Sequence, residues 1–259
     1  LGGKLWEDVE VNTSAPTSFF CWTLIQIGSD EEQLLTFQWG RRMGMFQCAG
    51  WEVIADKHKH IGGEGNKGFD TVALEGGLHD KKGAYGVACS ETNGFLNSFT
   101  FMNVWVKIIK MEKVWKHDFV LKLDVDAVVF PFRLPGMVNG WRGKPVVFAN
   151  HPDGHMWGSI EIFSKEALAR YAADLNVTNR KDDEPAIPNG CKHLTWWCWG
   201  EDQFIQTCMK TLGVPSPFLP NLVQSGWNSG NCHDPQYVAY HKFTEVWRQE
   251  QCLKAAGQW

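Results

Sequence analysis

The run Phe119-Val120-Leu121-Lys122-Leu123-Asp124-Val125-Asp126-Ala127-Val128-Val129-Phe130 constrains what this chain can fold into more than any other. Strand-forming apolar residues lead into two aspartates one residue apart, and a second apolar run follows. In extended backbone, residues i and i+2 point to the same side, so both carboxylates can face one ligand. Two close buried carboxylates repel unless a cation or a proton lies between them. Hard oxygen donors of this kind suit Mg²⁺ or Mn²⁺, completed by water and substrate phosphates. Asp-x-Asp is also common in solvated turns, where it binds nothing. Its place between two apolar runs favours a metal and diphosphate site, because a buried strand end is a costly place for idle carboxylates.

At 259 residues the chain can bury a core as one large domain or two small ones. A hydrophobic content of 44% against 21% charged residues marks it as globular. The formal net charge of −4 gives no support for a nucleic-acid or polyanion partner. Fourteen tryptophans are unusual; Trp is favoured where a flat apolar face meets sugars or bases, although ordinary core is the expected fate of most of them. No run of about 18 apolar residues exists to cross a membrane. The chain begins at Leu1 rather than Met, so a membrane anchor or signal is expected only in a segment ahead of it. Eight cysteines and two sequons, Asn12-Thr13-Ser14 and Asn176-Val177-Thr178, favour paired thiols and a secretory-pathway lumen: Golgi, ER or the exterior. The alternative is reduced cytosolic thiols.

Residues 1–18 are polar and turn-rich and read as a surface arm; residues 19–259 read as one domain without repeats. Phe19 to Ile27 is a buried first strand, and Ser29-Asp30-Glu31-Glu32 a capping box for a helix to about Met45. Trp51 to Ala55 is a second strand, so the start predicts a parallel β-α-β unit. Residues 57–93 read as long loops around a short strand near Thr71–Leu74. Within them Gly62 to Gly68 lacks the spacing of a phosphate loop and reads as flexible, and His58 and His60 read as loop histidines. Asn93 caps a predicted helix from Gly94 to Lys116 that feeds the aspartate strand. Val146 to Ala149 is a short strand, and Trp157 to Phe163 alternates before a helix capped by Ser164. Trp196-Trp197-Cys198-Trp199-Gly200-Glu201-Asp202 leads into a helix from Gln203 to Leu212. Tyr237 to Lys242 is a late strand holding His241, followed by a last helix to about Lys254.

Glu201 and Asp202 sit where a helix begins, so backbone N–H groups of the first turn can keep a carboxylate there ionised. An acidic residue at a helix start is often only a cap. The aromatic, glycine-containing approach instead suits a sugar acceptor beside a general base.

With these motifs in order, the chain resembles the GT-A glycosyltransferases, and more narrowly the inverting group of the fringe enzymes and the core 1 and β-1,3-galactosyltransferases. Phe20-Cys21-Trp22 is similar to that group's first strand, and Trp39-Gly40-Arg41-Arg42 to its Trp-Gly-x-Arg segment. Trp105-Val106-Lys107 is similar to its Trp-x-Lys, and Leu121 to Asp126 to its metal motif. Gly158 with Ser164-Lys165-Glu166-Ala167-Leu168 resembles its glycine-containing strand and following helix. Gly200-Glu201-Asp202, with Cys208 and Leu212-Gly213-Val214, resembles its base-bearing helix, and His241 stands where a late metal-binding His would be. Val125 replaces the usual central Asp of the triplet, and the glycine pair is reduced to Gly158-Ser159. Trp-Gly-Glu-Asp and Asp-Val-Asp also resemble the β-1,4-galactosyltransferases.

The resemblance implies a single α/β domain with a mixed, mostly parallel sheet flanked by helices. It implies inverting transfer of a hexose or N-acetylhexosamine from a UDP-sugar to a hydroxyl of a glycan or glycoprotein. Asp126 and His241 would bind Mn²⁺ or Mg²⁺, and Asp124 would contact the ion through water or the ribose. Asp202, with Glu201 as its neighbour and rival, would be the base. Arg41, Arg42 and Lys107 would contact the nucleotide. Two other readings stand beside this one. The first is a GT-A-fold binding or structural subunit without catalysis. The second is a carbohydrate-binding protein with Cys191, His193, Cys198 and Cys232 around zinc, although their spacing matches no standard pattern.

Overall fold

A computed structural model describes residues 15–63, 67–75, 78, 97–175, 186–225 and 232–259. The chain forms a mixed α/β fold around a five-stranded sheet. The strands are β1 (Phe19–Ile25), β2 (Gly50–Ala55), β3 (His60–Gly62), β4 (Gly68–Asp70), β5 (Val72–Ala73), β6 (Phe119–Leu123), β7 (Val128–Val129), β8 (Ile160–Ser164), β9 (Val223–Ser225) and β10 (Ala239–His241). The helices are α1 (Asp30–Arg41), α2 (Ser98–Lys110), α3 (Pro135–Val138), α4 (Lys165–Asp174), α5 (Glu201–Thr211) and α6 (Val246–Ala255).

The main sheet runs β5-β2-β1-β6-β8. β1 pairs in parallel with both β2 and β6, which realises the expected parallel start, and β8 closes the sheet antiparallel to β6. Alternation along β1 explains the layers. Phe19, Cys21 and Ile25 enter a core with Leu34 and Leu35 of α1. Phe20 and Trp22 enter a second core with α2, α4 and α5, through residues such as Trp105, Leu168 and Phe204. The aspartates follow the C-terminal end of β6, on the edge where parallel α/β sheets commonly bind ligands.

Several sequence expectations shift. Ser29 caps α1 by accepting from Glu31 N, but Glu32 Oε2 accepts from Gly28 N rather than closing back on Ser29. α1 stops at Arg41, not Met45, because Arg42 takes a left-handed conformation (φ 51°) and its N–H bonds Gln38 O and Trp39 O. α2 ends at Lys110; a separate 3-10 turn carries Glu112–Lys116, and the expected start at Asn93 lies outside the described residues. Val146 to Ala149 makes only isolated bridges, Val147 with Phe163 and Ala149 with Phe218. β8 is buried at all five positions instead of alternating, because both its faces are covered. α5 begins at Glu201, two residues earlier than expected. His60 lies in the β3–β4 hairpin rather than a loop. Both sequons and most of the expected arm lie outside the described residues.

Disulfides join Cys21 to Cys48, Cys191 to Cys208 and Cys232 to Cys252, and Cys198 is also disulfide-bonded. The zinc reading is therefore wrong: Cys191, Cys198 and Cys232 are sulfur-paired and offer no thiolates. Among the described residues no helix is long and apolar enough to cross a membrane.

Candidate active site

The backbone turns immediately after β6. Ala127 N donates to Asp124 O at 3.0 Å, and Asp124 N donates to Ser159 O at 3.2 Å. Two buried glutamines fix the residue between the aspartates. Gln38 Nε2 of α1 and Gln249 Nε2 of α6 donate to Val125 O at 2.7 and 2.9 Å. Phe243 N donates to Asp126 O at 2.8 Å, which brings the end of β10 against the same turn.

That convergence places Asp124, Asp126 and His241 together, with ligand atoms all within 4.8 Å of one another. His241 Nε2 lies 3.3 Å from Asp126 Oδ1, and Lys242 Nζ lies 3.7 Å from its Oδ2. Two carboxylates and an imidazole are a fitting donor set for Mn²⁺. Side-chain exposures of 35% for Asp124, 18% for Asp126 and 21% for His241 leave the remaining positions open to water or substrate oxygens. Burial raises the Asp126 carboxyl, but the His241 bond and the nearby Lys242 charge outweigh it and hold the pKa below its ordinary value.

Behind the aspartates lies a charge that the sequence reading passed over. Lys122 is 1% exposed, on the α2–α5 side of the sheet, with its ammonium 4.8 Å from the Phe101 ring. Its Nζ lies 2.7 Å from Asp124 Oδ1, Glu201 Oε1 and Gly158 O, which uses all three protons. Glu161 stands directly opposite on β8, with Oε1 at 3.3 Å from Nζ, and neither of its oxygens makes a hydrogen bond. Burial opposes the Lys122 charge, yet Asp124, Glu201 and Glu161 hold its pKa well above the usual value. Burial, against Lys122 and reinforced by Glu201 and Asp202, raises the Glu161 pKa well above its ordinary value. Burial likewise raises Asp124 despite Lys122, with Glu201 and Asp126 adding to it.

Glu201 and Asp202 share the first turn of α5 but differ in environment. Glu201 N donates to Asn97 Oδ1 at 3.1 Å, and its carboxylate is bound to Lys122. Burial pushes its pKa up, but Lys122 and Asn97 pull it below the ordinary value. Asp202 accepts from Gly158 N at 3.0 Å and Gln203 N at 2.7 Å. Burial and the neighbouring Glu201 charge raise its pKa to about 6. Gly158 is where three of these groups touch: a Cβ there would meet Glu201 Oε1 at 2.6 Å and Lys122 Nζ at 3.1 Å.

A cavity of about 600 Å³ opens in front of this cluster, lined by Asp30, Glu31, Asp124, Asp126 and Glu201, with Lys242 as the lining base. An anionic ligand can enter such a wall only with a cation beside it. The structure does not bring the other predicted nucleotide contacts to this cavity. Arg41 lies over the Trp259 ring at 3.8 Å. Arg42 lies over Trp39 at 3.5 Å and lines a separate cleft of about 740 Å³ with Lys59 and Lys67. Lys107 is half-buried, about 9 Å along α2 from the cavity-lining Phe101. Lys122, Glu161 and Asn97 were missed. The available signal was a charged residue inside each of two apolar strands, Leu121-Lys122-Leu123 and Ile160-Glu161-Ile162.

No family model matches the chain, and no curated protein matches it in sequence. Among solved structures, a Drosophila β-1,4-galactosyltransferase 7 variant, crystallised with manganese, UDP-Gal and xylobiose, superposes with a TM-score of 0.41 at 10% identity. The overlap covers 82% of this chain and 68% of that one. At that level the superposition supports no statement about this chain's chemistry.

Proposed function

We propose that this chain is an inverting, metal-dependent glycosyltransferase of the GT-A fold, acting in the secretory-pathway lumen. It moves a hexose or N-acetylhexosamine from a UDP-sugar to a hydroxyl of a glycan or glycoprotein. The observation that carries this reading is the bridge through Lys122 between Asp124, in the metal-ligand trio, and Glu201, next to a carboxylate with a pKa of about 6. Donor-side and acceptor-side groups are thereby held in one rigid unit. The ordered resemblance of the sequence motifs supports the same reading, and the disulfides suit an oxidising lumen.

Asp126 and His241 would hold a divalent ion, which would supply positive charge against the leaving diphosphate. Asp124 would contact the ribose or the ion through water. Asp202, unprotonated above about pH 6, accepts the proton of the acceptor hydroxyl as that oxygen bonds to the anomeric carbon. The bond from that carbon to the diphosphate oxygen breaks on the opposite face, which inverts the centre. Glu201 is held by Lys122 and keeps it charged, so it is a positioning group rather than the base.

The test is transfer from a panel of UDP-sugars with Mn²⁺, wild type against Asp202→Asn. Loss of the base costs roughly 10²–10⁴-fold in turnover while the Mn²⁺-dependent UDP thermal shift survives. Wild-type protein that binds UDP with Mn²⁺ but transfers no sugar overturns the enzyme reading in favour of a binding subunit.

A further inference from the structure

Large apolar side chains are normally stabilised by burial, so a large aromatic held rigidly in solvent calls for an explanation. Trp157, immediately before Gly158, is 37% exposed yet fixed at every point. The buried Asn150 clamps its backbone: Oδ1 accepts from Trp157 N at 2.7 Å, and Nδ2 donates to Trp157 O at 2.8 Å and Ile160 O at 2.9 Å. The His151 ring stacks on one face of the indole, with centroids 4.1 Å apart and planes 25° apart. Asp153 Oδ1 in turn lies 2.6 Å from His151 Nδ1. The ordering entropy that a ligand-binding side chain usually loses on binding is already lost here.

The location is specific. Gly158 N, bonded to the Trp157 carbonyl carbon, is the donor to Asp202 Oδ2 at 3.0 Å. Trp157 is therefore the residue directly before the glycine whose N–H holds Asp202.

We propose that Trp157 is the platform on which the acceptor sugar stacks: a pyranoside lays its apolar C–H face on the free side of the indole and presents a rim hydroxyl to Asp202. This rests on the glycosyltransferase reading for its purpose, though the binding can be measured without turnover. Trp has the flat apolar body for such contact, and His151 backs it as a rigid support.

The experiment uses methyl β-galactoside, methyl β-xyloside and methyl β-N-acetylglucosaminide as probes. Saturation-transfer NMR reads binding without donor, and transfer assays with UDP-sugars and Mn²⁺ read acceptor KM and kcat. Trp157→Ala is expected to raise the acceptor KM or Kd about tenfold, with kcat within about threefold and the UDP–Mn²⁺ thermal shift unchanged. Trp157→Phe keeps most of the affinity, and His151→Ala, which frees the indole, raises KM by a smaller factor. The unchanged UDP–Mn²⁺ shift also shows that each variant is folded. An unaltered acceptor KM in Trp157→Ala overturns the platform while leaving transfer standing. Wild type that binds a glycoside through Trp157 but transfers nothing sinks the enzyme reading and keeps the platform. No binding of any probe to wild type overturns the platform outright.

Discussion

The ammonium of Lys122 and the carboxylate of Glu201 meet at 2.7 Å in the interior, joining the inner strand β6 to the first turn of α5. The same nitrogen reaches Asp124 and Gly158 O, so a single side chain sets the spacing between the metal trio and the helix that bears Asp202.

Lys122→Met leaves Asp124 and Glu201 without their counter-charge, and breaking a buried pair of this kind costs about 3–5 kcal/mol. Glu161→Gln is the contrasting variant, because burial already disfavours the Glu161 charge in the fold. Its folded pKa lies above the unfolded one, so the native residue loses stability as pH rises through the unfolded value. Gln removes that loss. Urea unfolding at pH 8 should show Lys122→Met strongly destabilised and Glu161→Gln equal to or above wild type.

Asp126→Ala and His241→Ala each remove one donor from the trio. In wild type, UDP with Mn²⁺ at a hundredfold excess over Kd stabilises by about 2.7 kcal/mol. Both variants should lose that shift while keeping the metal-free melting temperature within a few degrees. Differential scanning fluorimetry with and without Mn²⁺ decides it, and a persistent shift removes the mutated residue from the site.

Gly158→Ala puts a methyl 2.6 Å from Glu201 Oε1 and 3.1 Å from Lys122 Nζ. Neither atom can withdraw without losing an ion pair, so overpacking here should cost about 2 kcal/mol or more. A chemical denaturation midpoint equal to wild type would contradict the packing described around Lys122.

Asp202 carries opposite pH signatures in activity and stability. A base with a pKa of about 6 must lose its proton to act, so turnover should climb through pH 6 and then level off. Stability runs the other way. The folded carboxyl is raised from 3.8 to about 6, so stability is complete below pH 3.8 and declines up to about pH 6. Asp202→Asn should therefore be inactive yet more stable than wild type at pH 8, by on the order of 1 kcal/mol. Thermal melts of both proteins at pH 5 and pH 8 test the reversal.

Asp124 and Asp126 were legible in the sequence because carboxylates at the end of an apolar strand break the local pattern, whereas His241 was singled out only by its place in the order of the resembling motifs. Lys122 and Glu161 break it too, but each in isolation reads as a tolerated strand residue. Only the antiparallel register of β6 on β8, a tertiary fact, sets them opposite one another. The parallel β1–β2 start was readable from strand, cap and strand in succession. The early end of α1 was not, because its left-handed residue is Arg42 rather than glycine. The contact of the Arg41 guanidinium with the Trp259 ring joins residues far apart in sequence and has no local signature.

The two glutamines on Val125 O have a consequence for the order of events in biosynthesis. Gln38 is translated 211 residues ahead of Gln249, and His241 also follows the aspartate turn. The aspartate turn can be translated and its strand paired long before its second clamp exists. The aspartate turn therefore lacks its second clamp until α6 has docked, and a ribosome stalled short of α6 would display the main sheet with that turn held by Gln38 alone.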